Sequence, residues 1–488
     1  MTKPKFYITT SIVYVTAEPH IGYAMELIQA DVLARNHRQR DDDVYMLTGT
    51  DEHGQKLSDA AHAAGQAPQQ FVDHISQHYR TLTHSLNLNN DGFVRTTDPV
   101  HKQAAQKLWR ACADDIYKGK YEGYYCVRCE RYYNERDMDG QKCPIHHIDL
   151  EWTSIESYFF RQSNYAEQIR GLIESDELRI IPQKRKNEIL AYIDSGLEDI
   201  SISRPKTQLD WGVEVPGDAE HVMYVWFDAL TNYISGVGYD SDSTEFEKWW
   251  PADIHIVGKD ISRFHCVMWP AMLLSAGLTP PRAVYAHGFI TDDHGEKISK
   301  SLGNVTDPNE IIELYGVDAL RYYLLRHIPA DDDGVFTMDL FAKAYNADLA
   351  NDLGNLVSRV ATMIHKYCGG QYEIIDIDRD GNGIDRLLDN CQFDQALAHI
   401  FEIVSQQNHH IEQQQPWQLF RTNPSATQQV LNRLASHIVW VAELLTPFLP
   451  DTAARISEIF KADGTVEPNP PILFPKHDND KPTTDHAD

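Results

Sequence analysis

The texture of the chain changes twice, and that double change constrains the fold more than any other feature. From Phe6 to Val15, β-branched and aromatic residues run into turn residues, which predicts a first strand. A helical pattern follows from Gly22 to Arg40, with Met25, Ile28 and Val32 on one apolar side. Asp41, Asp42 and Asp43 break it, and Val44 to Leu47 predicts a second strand. That strand runs into Thr48-Gly49-Thr50-Asp51-Glu52-His53-Gly54, read as a polar loop. Helical patterns follow at about 55–64, 69–86 and 99–117. Such β-α-β-α alternation calls for a parallel sheet with its sites at the carboxyl ends of the strands. From about residue 118, tyrosines, cysteines and charges crowd together instead. After Pro205 the α/β texture returns: Ile254–Gly258 is a strand, Lys259-Asp260 a turn, a helix runs through Leu274, and Val284 to Ile290 is another strand. One α/β nucleotide-binding domain is thus interrupted by an insertion. From about 340 only helical periodicity remains, over Phe341–Lys366, Asp385–Gln413 and Thr427–Phe460, which reads as a bundle.

A length of 488 residues suits about three domains at roughly 100–200 residues each. No run of eighteen apolar residues occurs, so no membrane span is expected. The apolar start carries Thr9, Thr10 and Ser11 and has no small-residue cleavage pattern before Glu18 and Pro19. It reads as a buried strand rather than a signal peptide, and a cytoplasmic protein is expected. Lysines and arginines number 44 against 72 acidic residues, a net charge of −28. That balance argues against a general nucleic-acid binder but leaves room for a local basic stripe. Candidates are Lys184-Arg185-Lys186, Arg321, Arg326, Arg359 and Lys366; for each alone, a solvated face is the plainer reading.

Two short motifs far apart carry chemistry. Pro19-His20-Ile21-Gly22 places a His-x-Gly at a strand-to-helix junction, where backbone N–H groups suit phosphate oxygens. Lys297-Ile298-Ser299-Lys300-Ser301 supplies two cations and two hydroxyls that suit a leaving polyphosphate. Together they point to an enzyme that splits ATP between its α and β phosphates. In the insertion, Cys126 and Cys129 are followed by Cys143 and His146, with the pair spacing of a tetrahedral zinc site. Four protein ligands make such an ion structural. A redox Cys-x-x-Cys pair is the alternative, and His147 competes with His146 as the fourth ligand.

On these residues the chain resembles the class I methionyl-tRNA synthetases over nearly its whole length. The two motifs are similar to the His-Ile-Gly-His and Lys-Met-Ser-Lys-Ser elements of that class. The segments narrowing the resemblance to methionine are Thr48–Gly54, Tyr224-Val225-Trp226-Phe227-Asp228-Ala229-Leu230-Thr231-Asn232-Tyr233, and Val257-Gly258-Lys259-Asp260-Ile261 with Phe264-His265. Ala286-His287-Gly288-Phe289, Asn355-Leu356-Val357-Ser358-Arg359, Pro416-Trp417 and the single knuckle match as well. Two positions depart. Tyr23 stands where the family has His, so a phenol replaces a group able to carry positive charge. Ile298 stands for Met, which preserves an apolar anchor.

The resemblance implies a two-step reaction. The methionine carboxylate attacks the α-phosphorus of ATP, and the 3′ adenosine of tRNA(Met), initiator tRNA included, then takes the acyl group. His20, Lys297 and Lys300 are the expected catalytic residues. His20, Gly22, Tyr23, Gly258, Lys259, Asp260 and Lys300 are expected at ATP, which arrives with Mg²⁺. Asp51 suits the substrate ammonium, and Tyr14, Trp226 and Tyr233 offer rings to the thioether beside Ile12, Ala229 and Leu230, with His287 close by. By composition alone those aromatics would be ordinary core. Asn355, Arg359 and Trp417 are the implied anticodon readers, the first two by hydrogen bonds and the last by stacking. The expected organisation is a Rossmann-like catalytic domain in two halves, 1–117 and 219–290, split by a connective insertion at 118–218. Residues 291–340 form the loop and linker region, 341–465 the helical anticodon-binding domain and 466–488 a tail; a monomer is expected.

Overall fold

The parallel sheet predicted by the N-terminal alternation is present, and its strand order decides where a ligand can sit. The computed structural model describes residues 3–16, 18–126, 131–133, 138, 140–144, 147–241, 244–296, 298, 306–379 and 382–477. The chain divides into two compact units, one of Met1–Pro19, Asp41–His84 and Leu88–His287, the other of His20–Arg40, Ser85–Asn87 and Gly288–Asp488.

The first unit holds the sheet. Its first strands are β1 (Lys5–Thr10), β2 (Val13–Tyr14), β3 (Asp43–Asp51) and β4 (Gly92–Arg95). β3 pairs with β4 on one side and with β1, continued by β2, on the other. From β1 the sheet proceeds to Ile254–Gly258, Ala283–His287 and Arg179–Ile181, and every pairing is parallel. The chain therefore builds outward from β1 in one direction, then starts again beside β1 in the other. At such a reversal, neighbouring crossovers leave the strand ends in opposite directions and open a crevice at the carboxyl edge.

Two local departures from expectation shape that edge. The single strand expected over Phe6–Val15 is split, because Thr9 is in register with Leu47 while Val13 is in register with Thr50. Four residues on one strand thus lie opposite three on the other, a bulge at Ser11 and Ile12. The expected loop from Thr48 is instead the end of β3, which runs through Asp51. Gly49 makes this possible, since a Cβ there would stand 2.1 Å from the Val94 carbonyl oxygen of β4.

The helix expected to reach residue 117 ends at Ala111, and an antiparallel strand, Ile116–Cys126, begins the insertion. It pairs along its length with Glu151–Phe160 and, near its end, with Arg131–Tyr133. One large core joins the sheet to the helices and to the base of the insertion, through Tyr7, Leu108, Trp109, Phe160, Phe227, Tyr233 and Trp269.

The second unit is mainly helical, with one short parallel pair of Ile290–Thr291 and Gly334–Val335, and opens with α1 (Ile21–Gln39). Arg321, a candidate for a basic surface stripe, is instead wholly buried. Its guanidinium donates to the carbonyls of Phe448 (2.7 Å), Pro447 (3.0 Å) and Leu86 (3.2 Å), and pairs with Asp31 of α1 at 2.7 Å. Such a buried cation is tolerable only when its donors are matched in this way. The run from Met338 to Cys368 is helical throughout, with a π-helical stretch at Tyr345–Gly354. The other two expected helices are each broken. Asn382–Leu388 and Phe393–Gln414 flank Cys391, which has φ 56°, and Pro424–Leu445 and Pro450–Ile459 flank Pro447. Phe474 near the end of the described chain is buried and set edge-on to Tyr345, whose hydroxyl donates to the Pro475 carbonyl at 2.9 Å.

Candidate active site

β3 carries Asp51 to the carboxyl edge of the sheet, in register with Tyr14 of β2, and buries it to 6% exposure. The residues behind it are locked. Glu52, wholly buried, takes Arg95 in a two-point ion pair at 2.7 and 2.9 Å and accepts from the hydroxyls of Thr50 (2.7 Å) and Thr97. His53 donates from Nδ1 to Asp228 at 2.6 Å, and His101 donates from Nε2 to the other oxygen of Asp228 at 2.8 Å. Burial pushes the Asp228 carboxyl up, but His53 and His101 outweigh it and hold the group well below the usual carboxylate range. Asp228 lies on the Val225–Leu230 helix with Trp226, Ala229 and Leu230. The His53–Asp228 bond therefore clamps the backbone beside Asp51 to the helix that carries the aromatic wall.

That wall is built from rings with assigned protons. Trp226, half-buried, stacks on Phe264 at 3.9 Å and 5°, and stands edge-on to His265. His265 Nδ1 meets the Ile261 carbonyl at 2.9 Å, so it must carry the proton; Nε2 then accepts from the Tyr233 hydroxyl at 2.7 Å. Burial pushes His265 down to about 4, which keeps the ring neutral. His255 stacks on the Tyr233 ring at 4.2 Å. It accepts from the Trp269 indole N–H at 3.2 Å and so donates from Nδ1 to Thr9 at 2.7 Å. Two neutral imidazoles thus fix Tyr233 without adding positive charge beside it. Ala229 and Leu230 are buried, and Ile12 packs half-buried against the same core. His287 is buried at the end of its strand, in register with Gly258. Apolar and aromatic side chains thus sit on the Val225–Leu230 helix and its neighbours, tied through Asp228 to the segment that follows the buried Asp51 carboxylate.

Gly258 ends the neighbouring strand, and a short turn, Lys259–Ile261, follows with Asp260 exposed and Lys259 half-buried. A Cβ on Gly258 would stand 2.8 Å from Asp260 Oδ1, so glycine is what lets that carboxylate fold over the turn.

In the second unit His20 caps α1. Its Nδ1 accepts from the Gly22 N–H at 3.1 Å, which places the proton of the neutral ring on Nε2. A Cβ on Gly22 would meet the same imidazole at 3.1 Å, so the glycine admits the ring over the helix end. Tyr23, next in the first turn, is buried. The N–H of Ile21 donates to the Thr306 carbonyl at 3.3 Å, so the chain following the lysine–serine motif returns to this helix end. Ile298 is buried and its N–H donates to Ile290 at 3.0 Å, as an apolar anchor requires. Lys297 and Lys300 lie outside the described residues.

In the insertion, Cys126 and Cys143 are fully buried and share a small core with Tyr133 and Leu150. Cys143 sits in a tight turn, donating from its N–H to Ile148 and accepting from His147 N–H at 2.8 Å. Two thiols gathered in so small a core fit the donor set of a zinc knuckle. Cys129 and His146 lie outside the described residues, and among the described ones no three metal-binding side chains converge. In the helical region, Asn355 is exposed and Arg359, one turn on, pairs with Glu412 at 2.7 Å. The short Pro416–Thr422 helix holds Trp417 half-buried and is tied to the Asn355–Cys368 helix by Phe420 against Tyr367 at 4.8 Å.

His20, Asp51, Trp226, Tyr233 and His287 were legible as motif members. Phe264, His265, His53 and Asp228 also stood inside those motifs without a role, and the partners Arg95, His101 and His255 carried no sequence signal at all.

Comparison with known proteins agrees along the whole chain. Residues 6–153 and 145–361 match the family of tRNA synthetases class I (M), and residues 371–471 match the anticodon binding domain of methionyl tRNA ligase. The methionine–tRNA ligase of Brucella suis is 42% identical, covering 98% of this chain and 99% of its own length. That of Thermotoga maritima is 41% identical over 93% of this chain and 74% of its own. The structure of Mycobacterium tuberculosis methionyl-tRNA synthetase in complex with methionyl-adenylate superimposes with a TM-score of 0.90 at 38% identity, covering 97% of this chain and all of that one. The free form of the same enzyme gives 0.83 at 34% identity, over 98% and 99%. The chain belongs to the class I methionyl-tRNA synthetases.

Proposed function

We propose that this chain activates L-methionine with ATP and transfers it to the 3′ adenosine of tRNA(Met), initiator tRNA included. The observation that supports the reading is that Asp51 is buried at the carboxyl end of β3, beside the reversal in strand order, and that the His53–Asp228 bond ties the next residues to the helix carrying Trp226. The ammonium of methionine pairs with Asp51, and the thioether packs on the rings beside Ile12, Tyr14, Ala229, Leu230 and His287. This leaves the carboxylate directed toward the nucleotide. Gly258, Lys259 and Asp260 take the nucleoside, with Asp260 accepting from a ribose hydroxyl. His20 donates from Nε2 to phosphate oxygens as charge gathers on them, with Gly22 and Tyr23 beside it. Lys297 and Lys300 neutralise the departing pyrophosphate, whose Mg²⁺ comes with ATP. Positioning and fixed charge do the work, because phosphoryl transfer asks for little covalent help from protein.

Cys126, Cys129, Cys143 and His146 would hold one structural zinc, which would cross-link the 118–218 insertion. Asn355, Arg359 and Trp417 would read the anticodon from the 341–465 helical domain. The remaining division, with catalytic halves at 1–117 and 219–290, the loop and linker region at 291–340 and a tail at 466–488, belongs to the same reading. Among the described residues no helix is long and apolar enough to cross a membrane, and a cytoplasmic monomer is the proposed state. Methionine-dependent exchange of pyrophosphate into ATP tests the reading. Exchange with methionine alone among the amino acids, lowered at least a hundredfold in rate by Lys300→Ala with methionine affinity kept, is expected. No exchange from the folded wild-type protein would end it.

A further inference from the structure

A cavity of about 320 Å³ lies within the second unit, and none of the residues lining it has a part in the chemistry proposed above. Its lining comes from the turn between the Pro308–Tyr315 and Val317–Arg326 helices, from the start of the Pro450–Ile459 helix and from residues 472–477. That last segment is held in place. Asn346 donates from Nδ2 to the His477 carbonyl at 3.0 Å and accepts from the His477 N–H at 3.2 Å, while Phe474 is buried.

The lining is both acidic and apolar. Asp318, only 5% exposed, accepts from the Thr452 N–H at 2.6 Å through Oδ2, but its Oδ1 is buried with no hydrogen-bond partner among the described residues. A buried carboxylate oxygen left in that way costs stability until a donor reaches it. Asp451, exposed, adds a second carboxylate. Arg455, the one arginine or lysine in the lining, is exposed and pairs with Glu458 at 3.3 Å. Leu314 and Ile472 also line the cavity and leave most of their apolar surface to solvent.

These features select a class of ligand. The unmatched oxygen calls for a hydrogen-bond donor, the two carboxylates favour a cation, and the apolar side chains favour a hydrocarbon stem. A calcium ion fits poorly, since it needs about six or more oxygens and no three metal-binding side chains converge among the described residues. We propose that this cavity binds a primary ammonium on a short aliphatic stem, with its N–H groups bonded to Asp318 Oδ1, its charge shared with Asp451 and its stem along Leu314 and Ile472.

The pairing requires an ionised Asp318. Burial pushes that carboxyl up to about 6 against Thr452 and Arg321, so the ligand should bind about tenfold more weakly at pH 5 than at pH 7. The other charged or titratable groups around it are Asp451, Arg455, His477, Tyr315 and Tyr345 in the lining, and Arg321, itself paired with Asp31.

Titration calorimetry of the full chain with n-butylammonium chloride at constant ionic strength tests the proposal. n-Butanol, which lacks the charge, and tetramethylammonium, which lacks N–H donors, are the comparison probes. Saturable binding of butylammonium at one site per chain is expected, with both comparison probes at least tenfold weaker. Asp318→Asn should weaken butylammonium at least tenfold and remove the pH dependence. His477→Gln should leave the pH dependence in place, which excludes the imidazole as its source. Asp451 is exposed, so Asp451→Asn keeps the site testable should the buried variant fail to fold; a roughly twofold to fivefold loss is expected there. Absence of saturable binding by the wild type overturns the proposal. So does an affinity unchanged in either aspartate variant, or n-butanol binding as tightly as butylammonium.

Discussion

His20 and Gly22 act as one device. The imidazole folds over the end of α1 because Gly22 leaves it room, and the resulting hydrogen bond decides which ring nitrogen keeps the proton. A methyl group at position 22 would meet the ring at 3.1 Å, and helical φ is open to alanine, so the fold should survive. Gly22→Ala should therefore displace the imidazole and slow adenylate formation about ten- to a hundredfold, in line with the loss of one oriented donor. Rapid-quench measurement of adenylate, with the circular dichroism melt as control, checks it. Asp318 gives a second prediction of opposite kind. Burial pushes its carboxyl up to about 6 against opposing hydrogen bonds, and Thr452 N–H donates to it at 2.6 Å. The folded chain thus holds a proton that the unfolded chain has released between about pH 4 and 6. This group's contribution is present below the unfolded value and lost as pH rises through 6. Asp318→Asn keeps an acceptor for Thr452 and removes the ionisation. It should raise Tm at pH 8 by the equivalent of about 3 kcal/mol, two pKa units at roughly 1.4 each, with the gain shrinking as pH falls from 6 to 4.

At the scale of elements, the insertion's Ile116–Cys126 strand ends at Cys126, and Cys143 lies in the turn that leads back to the Glu151–Phe160 strand. The core around these thiols is Cys126, Tyr133, Cys143 and Leu150, with a few half-buried neighbours. Among the described residues these apolar groups bury too little surface to offset the entropy of ordering the segment, and a metal cross-link would make up the difference. One zinc per chain is expected by elemental analysis of the protein purified without added metal. Removal with a chelator should increase protease cleavage within residues 127–146 first, and Cys126→Ser should mimic it. The same elements explain what was legible in the sequence. Alternation placed β1, β3 and the Ile254–Gly258 strand because their apolar runs are bounded by turn residues. The bulge after Thr10 and the extension of β3 through Gly49 stayed hidden, since both depend on tertiary neighbours, Leu47 to Thr50 in one case and the Val94 carbonyl in the other. Motifs exposed Asp51 and Trp226 as side chains with a chemical task. Arg95, His101 and His255 serve only by gripping others, and a partner recruited from 43 to 246 residues away leaves no mark in local pattern.

For the whole molecule, the proposed catalytic contacts and Trp417 fall in segments that match different family models, 6–361 and 371–471, whereas Asn355 and Arg359 lie near the end of the first. Pyrophosphate exchange needs only methionine and ATP, whereas aminoacylation needs the tRNA as well. A side chain that serves tRNA alone must therefore separate the two assays. Trp417 suits this test because its short helix is held by other residues. Pro416 starts the helix after a left-handed turn at Gln415, and Phe420 docks on Tyr367 at 4.8 Å. With Trp417 only half-buried, Trp417→Ala removes a stacking plane while those two anchors remain. Base stacking on an aromatic ring contributes about 1–3 kcal/mol, so kcat/KM for tRNA(Met) should fall roughly ten- to a hundredfold. Exchange should stay at the wild-type rate. If exchange fell with it, Trp417 would be supporting the fold rather than the RNA; if neither changed, the base is read elsewhere on the helical domain.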